Sequence, residues 1–558
     1  MKTTFKYDHY FLYEELASNL KELEAKYSSI MKVESIGITP KNRHVFAVTL
    51  SNGDASKKPA YYIDGNTHAG EVTGSMAAMH TLDYLVTNYE CDEKVKALLD
   101  ECTVYVIPRI SPDGAEAYLT SCTKLRSVDR PYLTLEKEAG LNDEDIDQDG
   151  VLRMMRVKTP YGAWKKDPEN PNLMLKRQPD EKEGEFYNVY PEGTIKEFDG
   201  CHIKMANPLW GFDFNRNYPF GWFSEVRQPG AGPYPLSNME TKAVVDFVLN
   251  HKNIGGVATH HTFGGMILVP PGTRPEKTGS KLDQKTLREI AKMGTEEMGY
   301  PAVAIFDSFT EDQEAYSSGA FDDWCYQQNG IPAYTIELWN MVSRAGIEQT
   351  WPSKPKDDKE MAKEYQKLLD WCQENAPEAF KPWTTVSHPE LGEVEVGGLD
   401  MKFTLQNPPV AFLQQELEKT TRFCIRMANT LPQLIFDRID TTQVDDSTYK
   451  IEAYVANKGY LPTYLTTETK KMAIESTVKV EVASDQGTIL SPVLVDLGSL
   501  EGYSGIATGY FYDHSINTFN HSPLMKKVTY YVKGEKGFTV TLKAYCNKAG
   551  TVEKEITL

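Results

Sequence analysis

The stretch Ala60-Tyr-Tyr-Ile-Asp-Gly-Asn-Thr-His-Ala-Gly-Glu71 joins an apolar run to a loop that carries a histidine and a glutamate. The apolar run, which ends at Asp64, is typical of a strand that is covered on both faces. A histidine and a glutamate three residues apart can bind one ion together, and a catalytic zinc ion typically takes three protein ligands. The stretch therefore predicts a buried strand that delivers His68 and Glu71 to a metal site.

Three later segments carry the same kinds of residue at the ends of predicted strands. His260 and His261 follow the strand-like run Ile254-Gly-Gly-Val-Ala258, and Glu337 ends the run Ile331-Pro-Ala-Tyr-Thr-Ile-Glu337. A further segment reads Asp213-Phe-Asn-Arg-Asn217. Open α/β sheets bind ligands beyond the carboxyl ends of their strands, so we expect these residues to converge. Either His260 or His261 would be the third metal ligand.

Strand and helix patterns alternate through the first part of the chain and predict an α/β fold. We expect a mainly parallel or mixed central sheet flanked by helices in a catalytic domain of residues 1–435, with an insertion at about 140–205. Within it, Lys165 to Asp199 has no strand or helix period and is predicted to be an irregular surface excursion. Residues 436–558 alternate apolar and polar positions between turns, which predicts an antiparallel β-sandwich as an accessory domain.

These segments together resemble the zinc carboxypeptidase family of the pancreatic type. Gly65 to Glu71 matches the family's first metal-binding loop, and Asp213 to Asn217 matches its Asp-x-Asn-Arg-Asn segment. His261-Thr-Phe263 matches the stretch that opens on the third ligand, which favours His261 over His260. Thr335-Ile-Glu-Leu338 matches the strand that ends at the general base, and Ser111-Pro-Asp-Gly114 matches an Asn-Pro-Asp-Gly turn with serine in place of asparagine.

The resemblance implies one zinc ion bound by His68, Glu71 and His261. Zinc in such a site lowers the pKa of water and polarises a carbonyl group. Glu337 would take the proton of the water and pass it to the leaving amine.

The Asp213 segment would bind the end of a peptide and orient one ligand. Arg216, with Asn215 beside it, offers a planar fork that suits a free C-terminal carboxylate. Asp213 would accept the proton on the other ring nitrogen of His68 and so orient that ring.

Three further roles follow from the resemblance. An arginine between the turn and the Asn-Arg motif would stabilise the oxyanion, and we predict Arg156 in preference to Arg153. Tyr316 would close over the bound terminus, with a surface tyrosine as the alternative. Asp322 would line the pocket for the terminal side chain and favour lysine or arginine; alternatively it faces solvent or caps the next helix.

A second metal is a candidate in the insertion. Asp145-Ile-Asp-Gln-Asp-Gly150 matches the first half of a calcium loop, with ligands at Asp145, Asp147 and Asp149. A complete site needs another carboxylate, for which we consider Glu138, Asp143 and Glu144. The alternative is a solvated acidic loop.

The composition and the first residues of the chain indicate which partners and which compartment to expect. The 558-residue chain has a net charge of −19, which argues against nucleic acid and anionic membranes as partners. Eight scattered cysteines without C-x-x-C spacing favour free thiols. The first residues show no signal peptide, so we expect a cytoplasmic protein, with a secreted or periplasmic form that has lost its signal as the alternative.

These observations predict a zinc-dependent metallocarboxypeptidase that acts on peptides with a free C-terminal carboxylate and prefers basic terminal residues. One alternative is a zinc amidase that acts on N-acyl amino acids or cell-wall stem peptides. The other is a catalytically inactive peptide-binding module, against which the retention of His68, Glu71, His261 and Glu337 argues.

Overall fold

The computed structural model describes residues 1–472, 474–505 and 524–558. Strands β1–β24 and helices α1–α11 are numbered in chain order. The helices are α1 (Tyr13–Lys26), α2 (Val72–Asn88), α3 (Glu93–Glu101), α4 (Pro112–Thr120), α5 (Met239–Asn250), α6 (Lys281–Met298), α7 (Phe321–Asp323), α8 (Met341–Arg344), α9 (Asp358–Asn375), α10 (Val410–Ala428) and α11 (Thr467–Lys471).

An eight-stranded mixed sheet forms the centre of the molecule, in the order β1-β2-β4-β3-β11-β14-β12-β13. Its middle strands β4, β3, β11 and β14 are parallel to one another, and the outer pairs β1–β2, β2–β4 and β12–β14 are antiparallel. The predicted α/β class is confirmed. The strands are β1 (Met31–Ile38), β2 (His44–Leu50), β3 (Ala60–Gly65), β4 (Thr103–Ile107), β11 (Ile254–Thr262), β12 (Met266–Val269), β13 (Ala302–Ala304) and β14 (Ala333–Leu338).

The middle strands are buried on both faces because helices cover them. Every residue of β3, β4 and β11 is buried, as their apolar sequences predict for parallel strands. Helix α2 packs closely on this sheet, since a Cβ at Gly65 would lie 2.2 Å from the carbonyl oxygen of Gly74 in the helix. The close approach fixes the start of α2 relative to the end of β3.

The insertion is a second sheet, which corrects the predicted irregular excursion over Lys165 to Asp199. Six antiparallel strands lie in the order β15-β16-β6-β9-β7-β8, so residues 380–399 complete a sheet that begins in the insertion. Two more strands, β5 and β10, form a separate pair. The strands are β5 (Gly140–Asp143), β6 (Met154–Lys158), β7 (Trp164–Lys166), β8 (Met174–Lys176), β9 (Tyr187–Pro191), β10 (Gly193–Lys196), β15 (Phe380–His388) and β16 (Gly392–Leu399).

The residues after 433 that the structure describes form two four-stranded antiparallel sheets, β17-β18-β22-β20 and β21-β19-β23-β24, around a core of their own. The predicted β-sandwich is confirmed. Its strands are β17 (Leu434–Gln443), β18 (Thr448–Asn457), β19 (Lys479–Ala483), β20 (Thr488–Ile489), β21 (Leu494–Asp496), β22 (Met525–Lys533), β23 (Thr539–Cys546) and β24 (Gly550–Thr557).

The sandwich contacts the central sheet through buried polar groups. Lys548, which lies between β23 and β24, donates a 2.7 Å hydrogen bond from Nζ to the carbonyl oxygen of Ile254 at the start of β11. Thr466, just before α11, donates from its hydroxyl to the carbonyl oxygen of Gly330 at 2.8 Å. Leu461 and Leu465 belong to the core of the central sheet. The two parts of the chain therefore share a buried interface.

All eight cysteines are free. Within the described ranges, no helix combines the length and apolar character needed to cross a membrane.

Candidate metal centre

The end of β3 and the start of α2 place the first two candidate ligands. Asn66 adopts a left-handed conformation at φ 63° and donates from its side chain to the carbonyl oxygen of His68 at 2.6 Å, which orders the loop. Glu71 occupies the N-cap position of α2, but its carboxylate makes no capping hydrogen bond. The side chain of Glu71 is therefore available to the loop that contains His68.

Three side chains converge on one buried point. His68 Nδ1 lies 2.7 Å from Glu71 Oε1, and His261 Nδ1 lies 2.8 Å from Glu71 Oε2. The two ring nitrogens are 3.2 Å apart, and one ligand atom from each of the three residues falls within 4.8 Å of the others. Two imidazole nitrogens and a carboxylate facing one another are a donor set that suits zinc. The predicted ligands therefore fit the ion that the sequence implies.

His260, the other candidate for the third ligand, points into the core. Its Nδ1 lies 2.7 Å from the carbonyl oxygen of Asp64, and its Nε2 lies 3.6 Å from Cys424 Sγ in α10. Adjacent strand residues point to opposite faces, so His261 alone of the pair can face Glu71.

Asp213 lies in contact with the His68 ring. Its Oδ1 lies 3.1 Å from His68 Nε2 and also accepts the backbone N–H of Asn215 at 2.8 Å. Burial raises the pKa of Asp213, but Arg126, Arg216 and His68 together lower it well below its ordinary value. The ionised carboxylate therefore fixes the His68 proton on Nε2 and leaves Nδ1 free for a metal.

Glu337 lies on β14 beside the third ligand. In the parallel pair of β11 and β14, His261 is in register with Glu337, so both side chains point to the same face. Burial raises the pKa of the Glu337 carboxyl well above its ordinary value, and Glu71 acts in the same direction while His261 opposes it. Glu337 lines a cavity of about 690 Å³ together with the three candidate ligands. A carboxyl group with a raised pKa beside a metal site is suited to accept and release protons.

Comparison with known proteins agrees with this geometry. Residues 16–354 match the family described as zinc carboxypeptidase. This chain belongs to the zinc carboxypeptidase family. Residues 433–557 match a domain of unknown function.

The individual relatives that this chain matches have low sequence identity to it. Carboxypeptidase O of Bos taurus is 23% identical over 350 residues, which cover 60% of this chain and 72% of the relative. Carboxypeptidase A2 of Mus musculus is 22% identical over 342 residues, which cover 60% of this chain and 64% of the relative. A solved structure of thrombin activatable fibrinolysis inhibitor is 16% identical, with a TM-score of 0.44, and the match covers 76% of this chain and 74% of that chain.

Asn215 and Arg216 line the same cavity as the metal ligands, and their binding of a terminal carboxylate stays a prediction. Asn215 accepts the backbone N–H of Phe321 with its Oδ1 at 2.8 Å. This contact occupies the amide oxygen of Asn215 and does not use its amide nitrogen. Arg216 donates one N–H to the carbonyl oxygen of Asn215 at 2.7 Å. The other guanidinium donors are available for a carboxylate ligand.

The prediction for the oxyanion arginine is corrected. Arg156 lies on β6 in the inserted sheet, where its Nε donates to Glu395 at 2.7 Å and its guanidinium stacks 4.4 Å from the ring of Trp383. Arg153 is bound there as well, to Asp149 at 3.3 Å. Neither side chain lines the metal cavity, because both belong to the inserted sheet.

Arg126, unlike Arg153 and Arg156, lies beside the candidate metal ligands. Its Nε donates to Asp213 Oδ2 at 2.8 Å, and one guanidinium nitrogen lies 3.7 Å from Glu71. The side chain is 42% exposed and lines the metal cavity. The signal for it was present in the sequence, since Arg126 also lies between the Ser-Pro-Asp-Gly turn and the Asn-Arg motif, closer to the turn than Arg153.

Tyr316 does not line the metal cavity in this structure. Its ring packs 5.5 Å from Phe223 and 5.9 Å from Phe306 and lines a neighbouring hollow. Its sequence neighbours Ala315 and Ser317 do line the metal cavity. The loop is therefore beside the cavity as predicted, but the tyrosine side chain is turned away from it.

Asp322 is buried and lines the metal cavity, so the exposed alternative is excluded. Its Oδ2 accepts a 2.8 Å hydrogen bond from the hydroxyl of Thr335, and its Oδ1 accepts the backbone N–H of Asp323. Burial and the nearby Asp322 raise the pKa of Asp323 above its ordinary value. In the described part of the chain Asp322 forms no ion pair, which leaves a carboxylate available to a cationic ligand.

The candidate calcium ligands Asp145, Asp147 and Asp149 also converge, with one carboxylate oxygen of each within 4.8 Å of the others. Lys381 places its Nζ 2.6 Å from Asp147 and 2.8 Å from Asp149. The further carboxylate at this loop is Glu192, which accepts backbone N–H groups of Ile146 and Arg153. An ammonium group thus lies where the loop would hold a metal ion, and calcium binding stays a prediction.

Proposed function

We propose that this chain is a zinc-dependent carboxypeptidase that hydrolyses the last peptide bond of peptides and prefers basic terminal residues. The observation that carries the proposal is one cavity that combines a metal-ligand set, a carboxyl group with a raised pKa, and a guanidinium-amide pair. Metal ligands and Glu337 support hydrolysis, and Asn215 with Arg216 supports selection for a free terminus.

The reaction requires a water molecule and a positioned peptide bond. Zinc bound by His68, Glu71 and His261 would supply Lewis-acid activation of water and of a carbonyl group. Glu337 accepts a proton from the attacking water and transfers it to the amine that leaves. This transfer suits a carboxyl group that burial has made more basic.

Arg126 is the donor best placed for the oxyanion. Its Nε is held by Asp213, which leaves N–H groups of the guanidinium directed into the cavity. A fixed cationic donor stabilises negative charge that develops on the carbonyl oxygen, and it needs no reorganisation during the reaction.

Asp322 supports the preference for lysine or arginine at the terminus. It is buried, lines the cavity and lacks a cationic partner among the described residues. A substrate ammonium or guanidinium group would supply that partner, whereas an apolar terminal side chain would leave the carboxylate unpaired.

A zinc amidase that acts on N-acyl amino acids or cell-wall stem peptides is the second candidate. The position of Tyr316 favours it, because a tyrosine that closes over a peptide terminus would have to lie in the metal cavity. Such an enzyme would use the same ligands and Glu337 on an amide bond of a smaller or branched substrate.

Release of amino acids from a panel of substrates separates these functions. The panel contains peptides ending in Lys, Arg, Phe or Ala, their C-terminal amides, and N-acyl amino acids. We expect release from free termini, no release from amides, and loss of activity with a chelator and in Glu337→Gln, which should retain zinc. Glu348→Gln, which alters a surface glutamate outside the cavity, is the matched control. Cleavage of N-acyl amino acids alone would establish the amidase, and equal cleavage of amidated peptides would contradict the carboxypeptidase.

A further inference from the structure

A second cavity of about 470 Å³ lies between the inserted sheet and α9. Its lining is mainly apolar, and we call it the methionine cavity after Met154, Met174, Met361 and Met401. The rings of Trp164 and Trp383 form part of the same wall. An apolar cavity of about 150 Å³ already holds benzene, so this one has room for a large apolar side chain.

The methionines are unusually exposed for apolar residues. Met154, Met361 and Met401 are 38%, 42% and 47% exposed, and they come from β6, from α9 and from the segment after β16. Methionine side chains adapt their shape to a ligand, and clustered exposed apolar groups usually mark a binding surface. The exposed methionines therefore form a surface that suits an apolar ligand.

Two segments join this cavity to the walls of the metal cavity. Lys124 lines the methionine cavity, and Arg126, two residues later, lines the metal cavity. Met401 begins a segment that reaches Asn407, whose side chain donates a 2.8 Å hydrogen bond to the carbonyl oxygen of Gly70 in the metal-binding loop. Segments 124–126 and 401–407 therefore run from the methionine cavity to the surroundings of the metal cavity, and two extended residues span roughly 7 Å.

The charges at the rim of the methionine cavity are already paired. Lys176 lies 2.6 Å from Asp358, Lys124 lies 3.3 Å from Asp143, and Arg153 lies 3.3 Å from Asp149. A charged ligand would have to compete with these pairs, whereas a neutral apolar side chain would not. The rim therefore favours an uncharged occupant.

We propose that the methionine cavity binds an apolar or aromatic side chain of the peptide substrate, two to four residues before the bond that is cleaved. This assignment rests on the proposed carboxypeptidase function. It makes the inserted sheet a specificity element, which selects the sequence upstream of the terminus while Asn215, Arg216 and Asp322 select the terminus itself.

The first measurement compares peptides that share a C-terminal lysine and differ upstream. A reference pentapeptide has glycine at every other position, and three variants carry phenylalanine two, three or four residues before the scissile bond. We expect phenylalanine at one of these positions to raise kcat/KM at least about tenfold, as apolar contacts in a specificity pocket do. Equal values for all four peptides would overturn the assignment.

The second measurement removes the apolar surface. Met361→Glu and Met154→Glu place a charge in the methionine cavity at exposed positions, so both variants should fold. We expect each to abolish the phenylalanine preference and to leave the glycine peptide unaffected. Met361→Leu should keep the preference. Met525→Glu, at a position that is 40% exposed in the β-sandwich, is the matched control and should also keep it.

Binding to Glu337→Gln separates a failure of this assignment from a failure of the proposed function. Calorimetric titration of that protein with the phenylalanine and glycine peptides reports binding without turnover. If the unaltered chain cleaves no peptide, but the Glu337→Gln protein binds the phenylalanine peptide more tightly and Met361→Glu removes that difference, the carboxypeptidase function would be overturned and the cavity assignment supported. Cleavage with a phenylalanine preference that survives both glutamate variants would overturn the cavity assignment and leave the function intact.

Discussion

Arg126 and Asp213 are joined by a 2.8 Å hydrogen bond from Nε to Oδ2, and the other oxygen of the same carboxylate lies 3.1 Å from Nε2 of His68. One carboxylate therefore positions both a metal ligand and the cation beside it. Asp213 links the binding of the metal to the position of the positive charge in the cavity.

Replacing Arg126 by alanine should lower kcat by about 10²–10³, because a preorganised donor to the oxyanion is lost. The comparison is with Arg156→Lys, which alters the arginine in the inserted sheet and should leave kcat within about twofold. Steady-state kinetics on an N-acylated dipeptide measures both. A large loss in Arg156→Lys with little change in Arg126→Ala would return the role to Arg156.

Asp213→Asn should weaken zinc binding by about 10–100-fold, since the amide no longer fixes the His68 proton on Nε2. Competition with a fluorescent chelator gives the zinc affinity directly. Asp199→Asn, at an exposed aspartate that pairs with His202, serves as the control and should bind zinc like the unaltered chain. Unchanged affinity in Asp213→Asn would show that this carboxylate has no part in metal binding.

Asp322→Asn should lower the ratio of lysine release to phenylalanine release at least about tenfold, because a buried charge loses its partner. The ratio is measured with two peptides that differ only in the last residue. Asp312→Asn alters an exposed carboxylate at the edge of the same cavity and should leave the ratio unchanged. An equal ratio in Asp322→Asn and the unaltered chain would contradict the predicted preference for basic C-terminal residues.

Removal of the ammonium group in Lys381→Met should make the acidic loop respond to calcium. Asp147 and Asp149 would then repel each other without a counter-charge, and calcium would offset that repulsion. We expect calcium to raise the Tm of Lys381→Met by more than that of the unaltered chain. The double variant with Asp145→Asn should lose the response, and equal Tm shifts in both single chains would contradict the prediction.

The unfolding free energy should fall as the pH drops from about 6.5 to about 5.5, in part through His80. Burial lowers the pKa of His80 from 6.5 to about 4, and its Nδ1 lies 2.7 Å from the Thr421 hydroxyl. The unfolded chain therefore takes up a proton at a pH where the folded chain does not, which costs about 1 kcal/mol between pH 6.5 and pH 5.5. Urea unfolding of His80→Gln should show a smaller loss across this range, and an identical loss would exclude His80.

The metal ligands could be predicted from the sequence because each lies in a short segment at a strand end. The strand before His68 fixes its position, and the register of β11 with β14 brings His261 beside Glu337. A local pattern of apolar and ligand residues contains this information. Asp322 also followed from its place in a motif, although its burial required the structure.

The arginine assignment failed because long-range partners decide where a basic side chain lies. Arg156 pairs with Glu395, which is 239 residues away, and nothing in the sequence around Arg156 indicates that contact. The inserted sheet was missed for a similar reason. Strands β7 and β8 have three residues each, too few for a period, and they are stable only as part of a sheet that residues 380–399 complete.

The hydrogen bond between Lys548 and Ile254 has a consequence for synthesis of the chain. The ribosome makes Ile254 first and Lys548 only 294 residues later, which at typical rates is an interval of roughly 15–60 s. During that time the first carbonyl group of β11 lacks its donor. The strand that carries His261 therefore reaches its final surroundings only after translation has passed residue 548.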